Sequence, residues 1–176
     1  GAKLLEPPYR HHYFDGALMH IFNPDTKENG GIFSQSQGWL ILAEALLGHG
    51  NAAFRYFTES SPAAMNDKAE IRVMEPYVHG QFTESSASPY AGRAHVHWLT
   101  GTASTVMVGC VEGICGMRPD ADGLAIRPSI PAEWDGMKMH KVFRGKQLNI
   151  IVQNPNHVES GVCALTLNGE ALQGDY

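Results

Sequence analysis

Trp98 to Gly123, WLTGTASTVMVGCVEGICGMRPDADG, is the stretch on which the reading of this chain turns. Up to Gly116 small and apolar residues dominate. This predicts a tightly packed helix that starts at Thr100 or Thr102, both of a preferred capping type, and stops at Gly116. From Met117 the texture changes to Pro, Asp and Gly, the residues of turns. A helical segment therefore meets a turn-rich one at this point, and the two sides are best read separately.

On the carboxyl side, KMHKVFRGKQLNIIVQNPN (138–156) alternates, with Leu148, Ile150 and Val152 on one face and Asn149, Ile151 and Gln153 on the other. GVCALTLNGEAL (161–172) alternates again, and its Asn168-Gly169 is a two-residue hairpin signal. This half is expected to be antiparallel β, as in a sandwich.

On the amino side, WLILAEALLG (39–48) is apolar almost all round. It predicts a helix buried on most sides and stopped by Gly48 and Gly50. Asn51 is placed to cap a second helix that ends before Pro62, and residues 63–95 are expected to be irregular. Two helices buried on most sides need more helices around them than this chain supplies. Either the protein oligomerises through them or the chain is the C-terminal piece of a larger helical domain; the second is favoured, and the expectation is an α+β multi-domain fragment. The amino-terminal GAKLLEPPYR is read in the same way, as an internal cut with upstream polypeptide before it.

Composition narrows the function. The chain has 176 residues, 43% apolar and 18% charged, enough for a core and too apolar for general disorder. A net charge of −5 gives no broad attraction for nucleic acid or acidic membranes. No segment reaches the roughly 18–20 charge-free apolar residues of a membrane span. The three cysteines, Cys110, Cys115 and Cys163, form no CxxC pair and no disulfide framework, which points to a reducing compartment without structural zinc. Five residues apart on a helix, Cys110 and Cys115 are expected to point in different directions and to be poor disulfide partners.

Several polar groups stand against buried elements and need partners, because an unpaired buried polar group costs about 1–3 kcal/mol. Thr100-Gly101-Thr102 offers hydroxyls and free amides at a helix start, which suits an anion or an ordinary cap. Lys27-Glu28 suits vicinal sugar hydroxyls or a surface ion pair. Gln35 suits an anion, a sugar or a helix-start cap, and Glu75 and Gln81 suit hydroxyls. His95 and His97 share one face of an extended chain, and without an obvious third ligand they are read as hydrogen-bonded histidines near Trp98 rather than a metal site.

Taken together, KENGGIF (27–33), GW with AEALLGHG (38–50), PAA, AEIR and EPYV (62–78), WLTGTA (98–103), GMRPDADGLAIRPSIPAEWDG (116–136) and FRGKQLNI (143–150) resemble the inverting β-glucoside phosphorylases of glycoside hydrolase family 94 over nearly the whole chain. The resemblance implies the last helices of an (α/α)6 catalytic barrel in residues 1–117 and a jelly-roll-like β-sandwich in residues 118–176. It implies cleavage of a β-glucoside, such as cellobiose, a cellodextrin or cellobionic acid, by inorganic phosphate to α-glucose 1-phosphate. No cofactor or metal is implied, the enzyme is expected to be cytoplasmic, and it can pair as a homodimer. The catalytic acid, an Asp, is expected upstream, so no catalytic residue is assigned in this chain. Thr100 and Gly101 match phosphate-binding positions. Gln35 stands where many members carry a phosphate-binding His, and it cannot carry a positive charge. Arg93 is nearby in sequence as a compensating cation. Lys27 and Glu28 match positions that contact the acceptor sugar, Gln81 matches one that contacts the donor sugar, and Glu75 lies in the same motif. A cellobionic acid or oligoglucan substrate is expected from the Gln35 departure, with Lys27 facing an acid acceptor. The rivals are a phosphate-independent hydrolase on the same barrel and a non-catalytic carbohydrate-binding module.

Overall fold

The computed structural model describes residues 1–10 and 18–174. It holds four α-helices and several small antiparallel sheets: α1 (Ser34–Leu46), α2 (Gly50–Ser60), α3 (Ala69–Arg72), α4 (Thr102–Val108), one three-stranded sheet and three two-stranded ones. Two compact units emerge, Gly1–Trp39 with Tyr56–Met107, and Leu40–Arg55 with Val108–Tyr176. No helix among the described residues is long and apolar enough to cross a membrane.

The first unit is built on the three-stranded sheet of β1 (Ile32–Phe33), β2 (Gly80–Thr83) and β3 (Ala94–His97). Phe33 pairs with Phe82, and Phe82 with His95; the Phe82 ring stacks on the other two. The expectation of an irregular 63–95 is corrected here. That span holds a 3-10 turn (Ala63–Lys68), α3, β2 and the start of β3. Val78, Met74, Ala94 and Phe82 form its buried core. Gly38 lets α1 approach α4. A Cβ there would lie 2.4 Å from the Thr105 carbonyl carbon, closer than any side chain tolerates.

In the second unit the alternating segments form hairpins. β6 (Gly136–Phe143) pairs with β7 (Lys146–Gln153), bringing Met137 opposite Val152 and Met139 opposite Ile150, while Asn149, Ile151 and Gln153 are exposed. The connecting Arg144-Gly145 has positive φ at both residues, as a tight two-residue hairpin turn requires. The signalled Asn168-Gly169 joins β8 (Leu165–Leu167) to β9 (Glu170–Leu172) with the same geometry. β4 (Met117–Pro119) and β5 (Leu124–Ile126) form a third pair. Ile41, Ala45, Ala53, Ile114, Met117, Ala125 and Ile130 are buried.

Four expectations need correction. α1 is not covered on most sides, since Trp39, Leu46 and the Leu47 that follows it are exposed while Ile41 and Ala45 are buried. Asn51 does not cap α2. Its amide donates to Glu159 and its side chain accepts from the Ala132 amide, so it ties α2 to the segment after β5. The helix 98–116 is not one regular α-helix either. α4 starts at Thr102 and passes into a π-helical turn, Gly109–Ile114, in which the Cys115 amide donates to the Cys110 carbonyl at 2.8 Å. Residues five apart lie nearly one above the other in that geometry. Cys110 and Cys115 therefore face the same way, with their thiols within hydrogen-bonding reach of each other.

Candidate functional site

Lys27 and Glu28 sit at the tip of a turn with buried flanks. Asn29 is almost fully buried; its Oδ1 accepts the Tyr9 amide at 2.7 Å and its Nδ2 donates to the Tyr9 and Phe22 carbonyls. Asp25 has no exposed surface, accepts from the Ser85 hydroxyl, and lies 2.9 Å from the Lys3 ammonium. Burial pushes the Asp25 carboxyl up, but Ser85, Lys3 and the charge of Arg10 outweigh it and hold its pKa below the usual carboxylate value. Asn29 and Asp25 Oδ1 are thus satisfied by the protein, the buried Asp25 Oδ2 has no hydrogen-bond partner, and Glu28 at the tip is exposed. The Lys27 ammonium lies 5.9 Å from the Phe82 ring centroid, within cation–π range.

The hydroxyl and amide run that opens α1 divides its labour. Gln37 is buried and bonds the Ala2 backbone on both sides, as well as the Phe33 carbonyl. The half-buried Gln35 accepts the Thr105 hydroxyl on its backbone carbonyl at 3.0 Å. Its side-chain amide lies against Gly101, and a Cβ at 101 would come within 3.2 Å of Gln35 Nε2. Next to it, Thr100 Oγ1 accepts the Thr102 amide at 3.2 Å and lies 2.6 Å from the Thr102 hydroxyl. Gly101 itself is exposed.

The sheet positions the remaining candidates. Gln81 is on β2, and its buried Oε1 has no hydrogen-bond partner. Glu75 lies 3.0 Å from His97 Nδ1 at the end of β3. The loop carrying Glu75 is held by Arg72, which donates to the Glu75 and Val78 carbonyls. Burial, then the Arg72 charge, holds His79 below its ordinary pKa. Val96, between the two histidines, has φ of +56°, a strained value for a β-branched residue.

The structure therefore brings Gln35, Thr100 and Gly101 together at one turn, sets Lys27 over the residue after Gln81, and pairs Glu75 with His97. No hydrogen bond or ion pair joins Glu28 to the others among the described residues. A cavity of about 480 Å³ in the same unit is lined by Ser34, Gln37, Arg72, His79 and Thr83 among others, and none of the candidate residues lines it. Arg93 packs on the Tyr90 ring. Sequence reasoning missed the polar groups that hold the site in place, the buried Asp25 and Asn29 and the half-buried Arg72. It also missed Glu84, which accepts from Ser88 and sits 2.6 Å from His95 Nε2. Only the Asn29-Gly30 pair carried a signal, that of a turn. Among the described residues no group of three or more His, Cys, Asp or Glu is placed to hold a metal ion.

Comparison with known proteins agrees with the motifs. Residues 1–116 match the Glycosyl hydrolase 94 superfamily, catalytic domain, and residues 117–168 match the Glycosyl hydrolase family 65, C-terminal domain. The chain belongs to the glycosyl hydrolase 94 superfamily. It is 38% identical over 149 residues to an N,N'-diacetylchitobiose phosphorylase of Vibrio proteolyticus, covering 85% of the chain and 19% of that protein. It is 41% identical over 147 residues to an N,N'-diacetylchitobiose phosphorylase of Vibrio furnissii, covering 84% and 18%. It is 29% identical over 175 residues to a solabiose phosphorylase of Paenibacillus borealis, covering 99% and 23%. The chain thus spans about a fifth of the length of these relatives.

Proposed function

We propose that the complete protein is an inverting disaccharide phosphorylase and that this chain supplies its phosphate cradle and part of its sugar site. Residues 1–117 are the end of an (α/α)6 barrel, and 118–176 belong to a β-sandwich. The exposed apolar residues of α1 suit cover by further barrel helices. The observation that carries the reading is the meeting of the Gln35 amide with the exposed Gly101 beside Thr100.

Inversion at a sugar carbon by water needs two carboxyls, an acid for the leaving oxygen and a base for the water. Phosphate is already an anionic nucleophile, so the base is replaced by donors that hold it. The Gln35 Nε2, the Thr100 hydroxyl and the Gly101 amide are such donors. Thr100 accepts the Thr102 amide, and when the Thr102 hydroxyl donates to it as well, its own proton is left for a phosphate oxygen. A phosphate oxygen forms its bond to the anomeric carbon as the glycosidic bond breaks, and the leaving oxygen takes its proton from an Asp upstream. Lys27 and Glu28 bind acceptor hydroxyls, and Gln81, with its unpaired buried Oε1, binds a donor-sugar hydroxyl with Glu75 near it.

The relatives above are named for chitobiose and solabiose, so N,N'-diacetylchitobiose is the first substrate to test, ahead of cellobiose and cellobionic acid. We place the enzyme in the cytoplasm as a homodimer on the family resemblance. The deciding experiment follows disaccharide cleavage by the full-length protein with and without phosphate. Phosphate-dependent formation of an α-sugar 1-phosphate supports the reading, whereas equal cleavage without phosphate makes the protein a hydrolase.

A further inference from the structure

The π-turn pair Cys110–Cys115 has no part in the phosphate chemistry. Cys110 lies at the start of the turn and Cys115 directly follows it, the amide of the second bonded to the carbonyl of the first. Both side chains are half-buried, so small solutes reach them, while Cys163 is exposed on a separate segment. The π-turn that ends α4 gives up regular α-helical bonding, and π-turns are frequent at functional positions. Here its direct effect is to set two thiols face to face that an α-helix would hold apart. We propose that Cys110 and Cys115 form a reversible redox site, in which hydrogen peroxide converts the pair to an intrahelical disulfide.

The Cys110 thiol receives a hydrogen bond from Cys115, which outweighs its burial and lowers its pKa to about 7. The bond to Cys110, burial and the Cys110 charge push the Cys115 thiol up. Cys110 is therefore the thiolate nucleophile and Cys115 the proton-bearing partner. The Cys110 thiolate attacks one peroxide oxygen and the O–O bond breaks, leaving a sulfenic acid and, after protonation, water. The negative charge that held the Cys115 proton is then gone. Cys115 loses its proton, attacks the Cys110 sulfur and displaces the second water. Two thiols and one peroxide become one disulfide and two waters, with both sulfurs oxidised and peroxide reduced.

The test treats the folded full-length protein with hydrogen peroxide, blocks remaining thiols with N-ethylmaleimide after unfolding, and reads the peptide holding both cysteines by mass spectrometry. The expected peptide is two hydrogens lighter, carries no maleimide and is restored by dithiothreitol. Cys115→Ser is expected to leave a dimedone-reactive sulfenic acid on Cys110, and Cys110→Ser to leave Cys115 unreacted. Protein unfolded before treatment is expected to form the disulfide more slowly. Maleimide on both cysteines after peroxide, pairing of either with Cys163, or equal reaction in the two single variants overturns the proposal.

Discussion

Thr100 accepts one amide and sits against one hydroxyl, so its replacement removes both a local tie and a proposed donor to phosphate. Thr100→Ala in the full-length enzyme is expected to lower kcat/KM for phosphate by about ten- to a hundred-fold, the effect of roughly 1–3 kcal/mol for a bond to a charged group, with the thermal midpoint little changed. Steady-state kinetics at varied phosphate checks it. Gln35→His introduces a group that charges near pH 6.5. Relative to the wild type, its KM for phosphate is expected to fall as pH drops through that range, and a ratio flat from pH 6 to 8 removes Gln35 from the cradle. Asp25 gives a prediction about stability. Its folded pKa lies below its ordinary value of 3.8, so its contribution is complete above that value and is lost as pH falls through the lower folded one. Asp25→Asn is expected to destabilise by about 1–3 kcal/mol at neutral pH, with the gap to wild type narrowing below about pH 4 in urea titrations.

At the scale of elements, the contact of α1 with α4 rests on Gly38. Gly38→Ala is expected to lower stability by about 1–3 kcal/mol, because the backbone of Thr105 has to move away from the added methyl. A thermal midpoint equal to wild type would mean the helices do not approach as described. The elements also show what the sequence carried. The β6–β7 alternation and the Asn168-Gly169 hairpin were legible because strand period and turn chemistry are local signals. The β1–β2–β3 sheet was not, since β1 has two residues and β2 and β3 four each, too short for any period to register. Trp39, Leu46 and Leu47 misled in the other direction, because an apolar sequence tells that a face wants cover and not what covers it. The π-turn left no mark in composition, so the cysteines were assigned α-helical directions.

For the whole molecule, the family was legible from ordered motifs, and the comparisons agree with it. The meeting of Gln35 with Gly101 was visible only through that resemblance, because these residues stand far apart in sequence and join through tertiary contact. The supports Asp25, Asn29 and Arg72 were hidden for a related reason. A polar side chain that ties backbone or buried groups together looks like any surface residue until its partners are known. The central claim is that an oxyanion held at the Thr100–Gly101 turn stands in for a hydrolytic base. Its most direct measurement is the release of sugar from N,N'-diacetylchitobiose, cellobiose and cellobionic acid by the full-length protein, with phosphate as the only variable. The account predicts cleavage of at least one of them that requires phosphate and yields the α-sugar 1-phosphate; cleavage at the same rate in phosphate-free buffer contradicts it.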